Sequence, residues 1–304
     1  MKIQSSNEYS RLRSVIVGTA HNANWPTKDR EFRDMEETTR WKETPVPSGP
    51  VEQHIIDETE QELQDMCDTL ARHGVQVYRP DALDYQARDG MYGYCPRDRL
   101  LVLGDQIIDC NMRFPCRKME IESYGFLDVD IQTIDDEQVV FDAANVLRMD
   151  NDLLYLVSDS GNRQGAEWLT QQFPYMNVHV LDNIYQGVHI DSTITVLNEG
   201  TVMLNGGRIN SDNMPEVFAG HDIIWVTEQD IVPMGFYKYP YASQWMAMNM
   251  LSLDRHTVMV DRDQDKIIRK LEQRNFTVIP SKLTHARTLG GGFHCCTLDL
   301  WRED

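Results

Sequence analysis

The sequence predicts an α/β protein: a five-bladed, pseudosymmetric propeller of repeated ββαβ modules, closed by pairing of its N- and C-terminal strands. Two observations carry that prediction. A single pattern recurs beyond residue 100, and the two chain ends together supply what a further copy needs. The pattern is a short strand, a tight polar turn, a second strand, a helical stretch and an extended apolar segment.

The first copy opens with LLVLGDQIIDC at 100–110, turns at Gly104 and Asp105, and closes with VDIQTI. The second runs NVLRMDNDLLYLVS at 145–158 with a turn at Asp150 and Asn151, a helix through AEWLTQQF, and NVHVLD at 177–182. STITVLNEGTVMLN at 192–205 begins the third, where Asn198, Glu199 and Gly200 supply turn chemistry and HDIIWVTE closes the unit. The fourth joins NMLSLDRHTVMVD at 249–261 to a helix at DKIIRKLEQR and the strand FTVIPS at 276–281. The fifth is assembled from both ends. TLDLWRE at the C-terminus pairs with RSVIVG at 13–18, the amphipathic stretch 51–74 forms a helix with Ile55, Ile56, Leu63, Met66 and Leu70 on its apolar face and Gly74 as its stop, and VQVYRP at 75–80 closes the unit. Closure of such a ring removes free sheet edges.

No Pro/Gly/Ser-rich linker divides the 304 residues, so the chain reads as one domain, 1–304. A chain of this size buries roughly 75% of its unfolded surface, enough to fold without disulfides or a structural metal. With 48 acidic against 29 basic side chains the net charge is −19, which repels phosphate backbones and anionic lipid, so neither nucleic acid nor membrane is an expected partner. The six cysteines form no Cys-x-x-Cys pair or zinc spacing, the N-terminus lacks a signal-like apolar region, and no apolar run is long enough to span a bilayer. A cytoplasmic protein without metal or cofactor is the expectation.

The polar residues that precede each opening strand carry the chemistry. Asp98 precedes LLVL, Asp142 precedes ANVL, His189 and Asp191 precede TITV, and Cys295 precedes TLDL. Equivalent positions in a ring lie at one end and at one distance from its axis, so these five residues should converge. Asp is common in turns that open strands, and taken singly each position is explained that way. Together they form a covalent-catalysis set: a cysteine, a histidine, a carboxylate to orient the imidazole, and two carboxylates able to grip a planar cation such as guanidinium.

FDAANVL (141–147), NRQGAEWL (162–169), VHIDSTITVL (188–197) and LGGGFHCCTLDL (289–300) resemble the glycine amidinotransferases and their relatives among guanidino-modifying enzymes. The resemblance covers nearly the whole chain and implies the five-bladed α/β propeller. It also implies Cys295 as nucleophile, His189 as general acid/base, Asp142 as the residue orienting it, and Asp98 and Asp191 as the guanidinium holders. Arg208 in LNGGRI then matches a basic residue facing the substrate carboxylate, and Ser243 in YASQW a substrate-binding serine. The implied reaction moves the amidino group of L-arginine through an amidino-cysteine to an acceptor amine. Glycine leads among acceptors, giving guanidinoacetate and L-ornithine. The sequence departs from the glycine-enzyme pattern beside the site, with Val188 in place of Met and Ala242 in place of a serine, so an aminocyclitol or other amine stands as the alternative acceptor. Water as acceptor, as in arginine deiminases, is the rival chemistry. The resemblance further implies a homodimer.

Other motifs are structural in character. Gly290, Gly291 and Gly292 open no dinucleotide fold and are expected to admit the substrate beside Cys295. Asp261, Asp263 and Asp265 mimic calcium-loop spacing, but Lys266 stands where glycine is needed, so they are expected to cap a helix. WMAMNM at 245–250 is expected in the core, and Cys296 is expected buried on the face opposite Cys295.

Overall fold

The computed structural model describes residues 1–303, with backbone only at 39 and 40. Its five three-stranded sheets each run antiparallel between the first and second strands and parallel between the second and third. The first blade joins Thr297–Glu303 and Arg11–Val17, from opposite chain ends, to Gln76–Tyr78. The second holds Leu100–Leu103, Gln106–Asp109 and Ile131–Thr133; the third, Val146–Met149, Asp152–Leu156 and Asn177–Leu181. Ile194–Asn198, Thr201–Asn205 and Asp222–Val226 make the fourth, and Leu251–Asp254, Thr257–Asp261 and Thr277–Ser281 the fifth.

Each of five apolar clusters takes residues from two successive blades. Leu147, Leu154 and Leu156 of the third blade pack with Ile194, Val202 and Leu204 of the fourth, and Ile16, Leu298 and Leu300 of the first pack with Leu100 and Val102 of the second. The cluster containing Val15, Val17 and the helix Gln53–Arg72 reaches Leu251, Leu253 and Met259 of the fifth. A blade of three short strands buries little alone, so the hydrophobic driving force acts between blades and draws them into a ring.

The helix Gln53–Arg72 buries Ile55, Ile56, Leu63, Met66 and Leu70, and the chain leaves it at Gly74 with φ of 79°. The helices Arg163–Gln172 and Asp265–Glu272 occupy the expected places in the third and fifth blades. The other two helical stretches differ. The second blade carries the 3₁₀ segment Pro115–Tyr124, and the fourth only the turn Glu216–Phe218, because Gly, Asn, Asp and Pro crowd residues 205–221 and favour turns over a helix. The acidic triplet does not cap the helix Asp265–Glu272 as expected. Gln264 occupies the N-cap, while Asp261 accepts from the Asp263 amide at 2.9 Å and pairs with Lys282 at 3.1 Å. Met246, Met248 and Met250 are buried. Cys296 is buried too, but in a turn closed by its own amide, which donates to the Gly292 carbonyl at 2.9 Å, not in an extended segment. Among the described residues no helix is long and apolar enough to cross a membrane, and no group of His, Cys, Asp or Glu has the arrangement of a metal site.

Candidate active site

A short helical turn precedes the opening strand of each blade, and these turns place the site. Pro96–Arg99 carries Asp98, Asp142 caps Ala143–Asn145, His189 caps Ile190–Ser192 with Asp191 inside it, Ser243 caps Gln244–Met248, and the turn at 293–296 carries Cys295. Five residues expected to act together are thereby brought together although Asp98 and Cys295 lie 197 positions apart in sequence.

Cys295, His189, Asp191, Arg208 and Ser243 line one cavity of about 470 Å³, with Trp41, Tyr185 and Trp245 among its other walls. Asp98 and Asp142 line an adjoining chamber of about 50 Å³, and His189 belongs to both. The imidazole lies between the carboxylates, Nε2 at 2.9 Å from Asp142 Oδ2 and Nδ1 at 3.5 Å from Asp98 Oδ1. Oδ1 of Asp98 and Oδ1 of Asp142 are buried without a protein hydrogen-bond partner, so the chamber presents acceptors matched to an N–H-rich cation. Burial alone disfavours imidazolium, but Asp98, the hydrogen bond to Asp142 and contact with Cys295 outweigh it and hold the His189 pKa well above its ordinary value.

Cys295 has the opposite environment. Its sulfur lies 3.1 Å from Asp191 Oδ2, and the neighbouring Cys95 thiol, burial and the Asp191 charge push its pKa well above the ordinary thiol value despite His189. Asp191 remains ionised: burial raises its pKa, but a hydrogen bond from His294 at 3.0 Å, together with the charges of His294 and His189, lowers it to about 2. Arg208 donates to the hydroxyls of Ser192 and Thr193 at 2.9 and 2.6 Å and stacks over Tyr185 with its central carbon 3.5 Å from the ring centroid, a cation–π contact that fixes a positive charge on the cavity wall. Ser243 spends its hydroxyl oxygen on the Trp245 amide at 3.3 Å.

Three features escape the sequence reading. Arg117 joins Glu120 to Asp98, donating to Asp98 Oδ2 at 3.0 Å and so leaving Oδ1 for the chamber. His294 bridges Asp191 and Glu8, with ring nitrogens 3.0 and 3.2 Å from their oxygens. Asn249 contacts the Cys295 sulfur at 3.0 Å. It sits immediately before the fifth blade's opening hairpin, so the rule that located the other site residues points to it when applied to NMLSLD. Gly290 lines the cavity with Cys295, and Gly291 has a packing role besides. A Cβ on Gly291 would lie 2.5 Å from the Cys95 sulfur and 2.9 Å from Cys295 Cβ, so this residue makes room for the two cysteines.

Inosamine-phosphate amidinotransferase 1 of Streptomyces griseus is 38% identical to this chain, over 97% of the chain and 96% of that protein. The chain belongs to the amidinotransferase family. Mitochondrial glycine amidinotransferase of Xenopus tropicalis is 30% identical, over 98% of this chain and 82% of that protein. The solved structure of a Streptomyces griseus inosamine-phosphate amidinotransferase superimposes with a TM-score of 0.93, covering 99% of this chain and 97% of that one. An amidinotransferase of the saxitoxin biosynthetic pathway in Microseira wollei gives 0.87 at 25% identity, covering 99% and 98%. No family model matches. The expected transferase class and propeller therefore stand.

Proposed function

We propose that this amidinotransferase takes the amidino group from L-arginine onto Cys295 and passes it to an amine of the aminocyclitol class, with residues 1–304 acting as one catalytic domain. Asp98 and Asp191 hold the guanidinium, and the arriving positive charge favours loss of the Cys295 proton to solvent. The thiolate attacks the guanidinium carbon as the bond to the ornithine nitrogen breaks, and His189, oriented by Asp142, protonates that nitrogen. After ornithine leaves, the acceptor amine attacks the amidino-cysteine, gives its proton to His189 and displaces the thiolate, which recovers a proton as the guanidino product departs. Ping-pong kinetics follow. Arg208 pairs with the arginine carboxylate in the first half and with an anionic group of the acceptor in the second, while Ser243 contacts the bound amino acid.

The observation that carries the reading is the placement of Cys295 and His189 against three buried carboxylates, Asp191 in the main cavity and Asp98 and Asp142 in the chamber that adjoins it. The acceptor class is supported by the inosamine-phosphate relatives and by Val188 and Ala242, where the chain departs from the glycine-enzyme pattern. Product mass spectrometry from arginine with a panel of amines tests it. An amidinated aminocyclitol or aminocyclitol phosphate, with ornithine in equal amount, is expected. Guanidinoacetate as the dominant product would overturn the acceptor class, and citrulline formed without any amine would overturn transfer itself.

A further inference from the structure

Asn249 is 2% exposed, and it directs three polar groups at the turn that carries Cys295. Its backbone carbonyl accepts from the Phe293 amide at 3.1 Å, and its side-chain oxygen accepts from the amides of His294 at 3.0 Å and Cys295 at 3.1 Å. The side-chain nitrogen then donates to the Cys295 sulfur at 3.0 Å. A Cβ on Gly292 would come within 2.8 Å of that side-chain oxygen and 2.9 Å of the Asn249 carbonyl, so glycine at 292 is what permits the approach.

The fold alone does not require an amide on the sulfur. In the third blade the corresponding segment NVLRMD begins with Asn145, which matches Asn249 of NMLSLD and donates to the carbonyls of Leu156 and Val188 and to the Ser158 hydroxyl. The fifth blade turns the same residue type onto the nucleophile. The groups facing that sulfur are Asp191, His189, Cys95 and Asn249. Asp191 is an anion and the Cys95 thiol opposes ionisation, which leaves His189 and Asn249 as the groups that favour a thiolate. His189 must also exchange protons with the substrate nitrogens, so its donation to sulfur is interrupted in each half-reaction. The Asn249 amide is neutral and fixed, and it donates throughout.

We propose that Asn249 is a catalytic residue whose side-chain amide stabilises the Cys295 thiolate both as it attacks and as it leaves, while its carbonyl oxygen holds the nucleophile's turn. The inference rests on the proposed transfer through Cys295. In the first half the S–C bond forms as the C–N bond to ornithine breaks, and in the second the S–C bond breaks with its electron pair returning to sulfur. Asn249 accepts and releases no proton in either.

Asn249→Asp and Asn249→Ala test this together: the aspartate keeps an acceptor oxygen and the side-chain shape but puts a charge in place of the donor, the alanine removes the donor without adding a charge, and only a change common to both reports the donor. Three quantities are read: the pH dependence of Cys295 alkylation by iodoacetamide, kcat against KM for arginine, and formation of the amidino adduct from arginine alone. The alkylation midpoint should move to higher pH and kcat should fall by about 10²-fold, the scale of losing one preorganised donor to a developing anion. KM for arginine should stay within about 3-fold, since no substrate contact is removed. Asn249→Ser, which also lacks the amide donor, serves with the same readouts if the aspartate variant does not fold. An alkylation midpoint and kcat both at the wild-type values in either variant, or a loss confined to KM, would overturn the inference. The two readings fail separately: absence of any adduct in the wild type rejects transfer through Cys295, whereas adduct formation at equal rates in wild type and variant rejects only the role of Asn249.

Discussion

At the residue scale the site is a balance between an unwilling thiol and a willing imidazole. Cys95, burial and Asp191 hold the Cys295 pKa well above its ordinary value, whereas Asp98 and Asp142 hold His189 up against burial. The empty site therefore keeps the thiol protonated and the imidazole charged, and a bound cation shifts the first of these. Alkylation of Cys295 by a small uncharged reagent should be slow at neutral pH and should quicken when a cationic ligand that leaves the sulfur accessible is added. A thiol already titrating well below pH 7 without ligand would contradict this electrostatic gating. The residues in this balance were legible in the sequence where they precede an opening strand: Asp98, Asp142, His189, Asp191 and Cys295. Arg117, Glu120 and Glu8 were not. Their importance comes from pairing across buried space with residues far along the chain, as Glu8 does with His294, and no local pattern encodes such a pairing.

At the element scale the repeat carried most of the fold, because period-two strands and polar turns signal themselves locally. Gly104 and Asp150 adopt positive φ of 59° at the predicted hairpin turns. Helices were less legible. The fourth blade's expected helix is a short turn because its linking segment is rich in turn formers, and the second blade's is 3₁₀. The helix Gln53–Arg72 is the longest covering element, and Leu63 on its inner face is fully buried. Leu63→Ala should cost about 2–5 kcal/mol through lost burial and the cavity left behind. Chemical denaturation should show that loss without any change in the pH dependence of Cys295 alkylation; a shifted alkylation profile would mean that this helix governs the site as well as the fold.

At the scale of the whole molecule, a buried ionic cluster ties the first three blades together. Arg97, Arg148 and Arg302 surround Asp299, and Arg148 also binds Glu8 at 2.8 Å, all of them buried. Burial raises the pKa of Glu8 and Asp299, but the arginines outweigh it and leave both well below ordinary carboxylate values. Their stabilisation is complete above the unfolded carboxylate pKa of about 4 and is lost as pH falls through and below it. Glu120 works in the other direction. Burial lifts its pKa to about 7 despite Arg117, so its contribution is lost as pH rises from about 4.5 towards 7. The net charge of −19 adds self-repulsion on the alkaline side. Thermal melting should therefore show greatest stability near pH ~5–6, with a steep decline below about 4. A melting temperature that climbs steadily from pH 5 to 8 would contradict this assignment of buried charge.

The fold, the converging turns and the paired acid and nucleophile all serve one claim, that the amidino group rests on Cys295 between donor and acceptor. Intact-protein and peptide mass spectrometry after incubation with L-arginine alone tests it most directly. The account predicts one amidino group on the peptide bearing Cys295, with ornithine released in matching amount and the group discharged when an acceptor amine is added. Turnover of arginine with an acceptor while Cys295 stays unmodified, or undiminished turnover in Cys295→Ala, would contradict it.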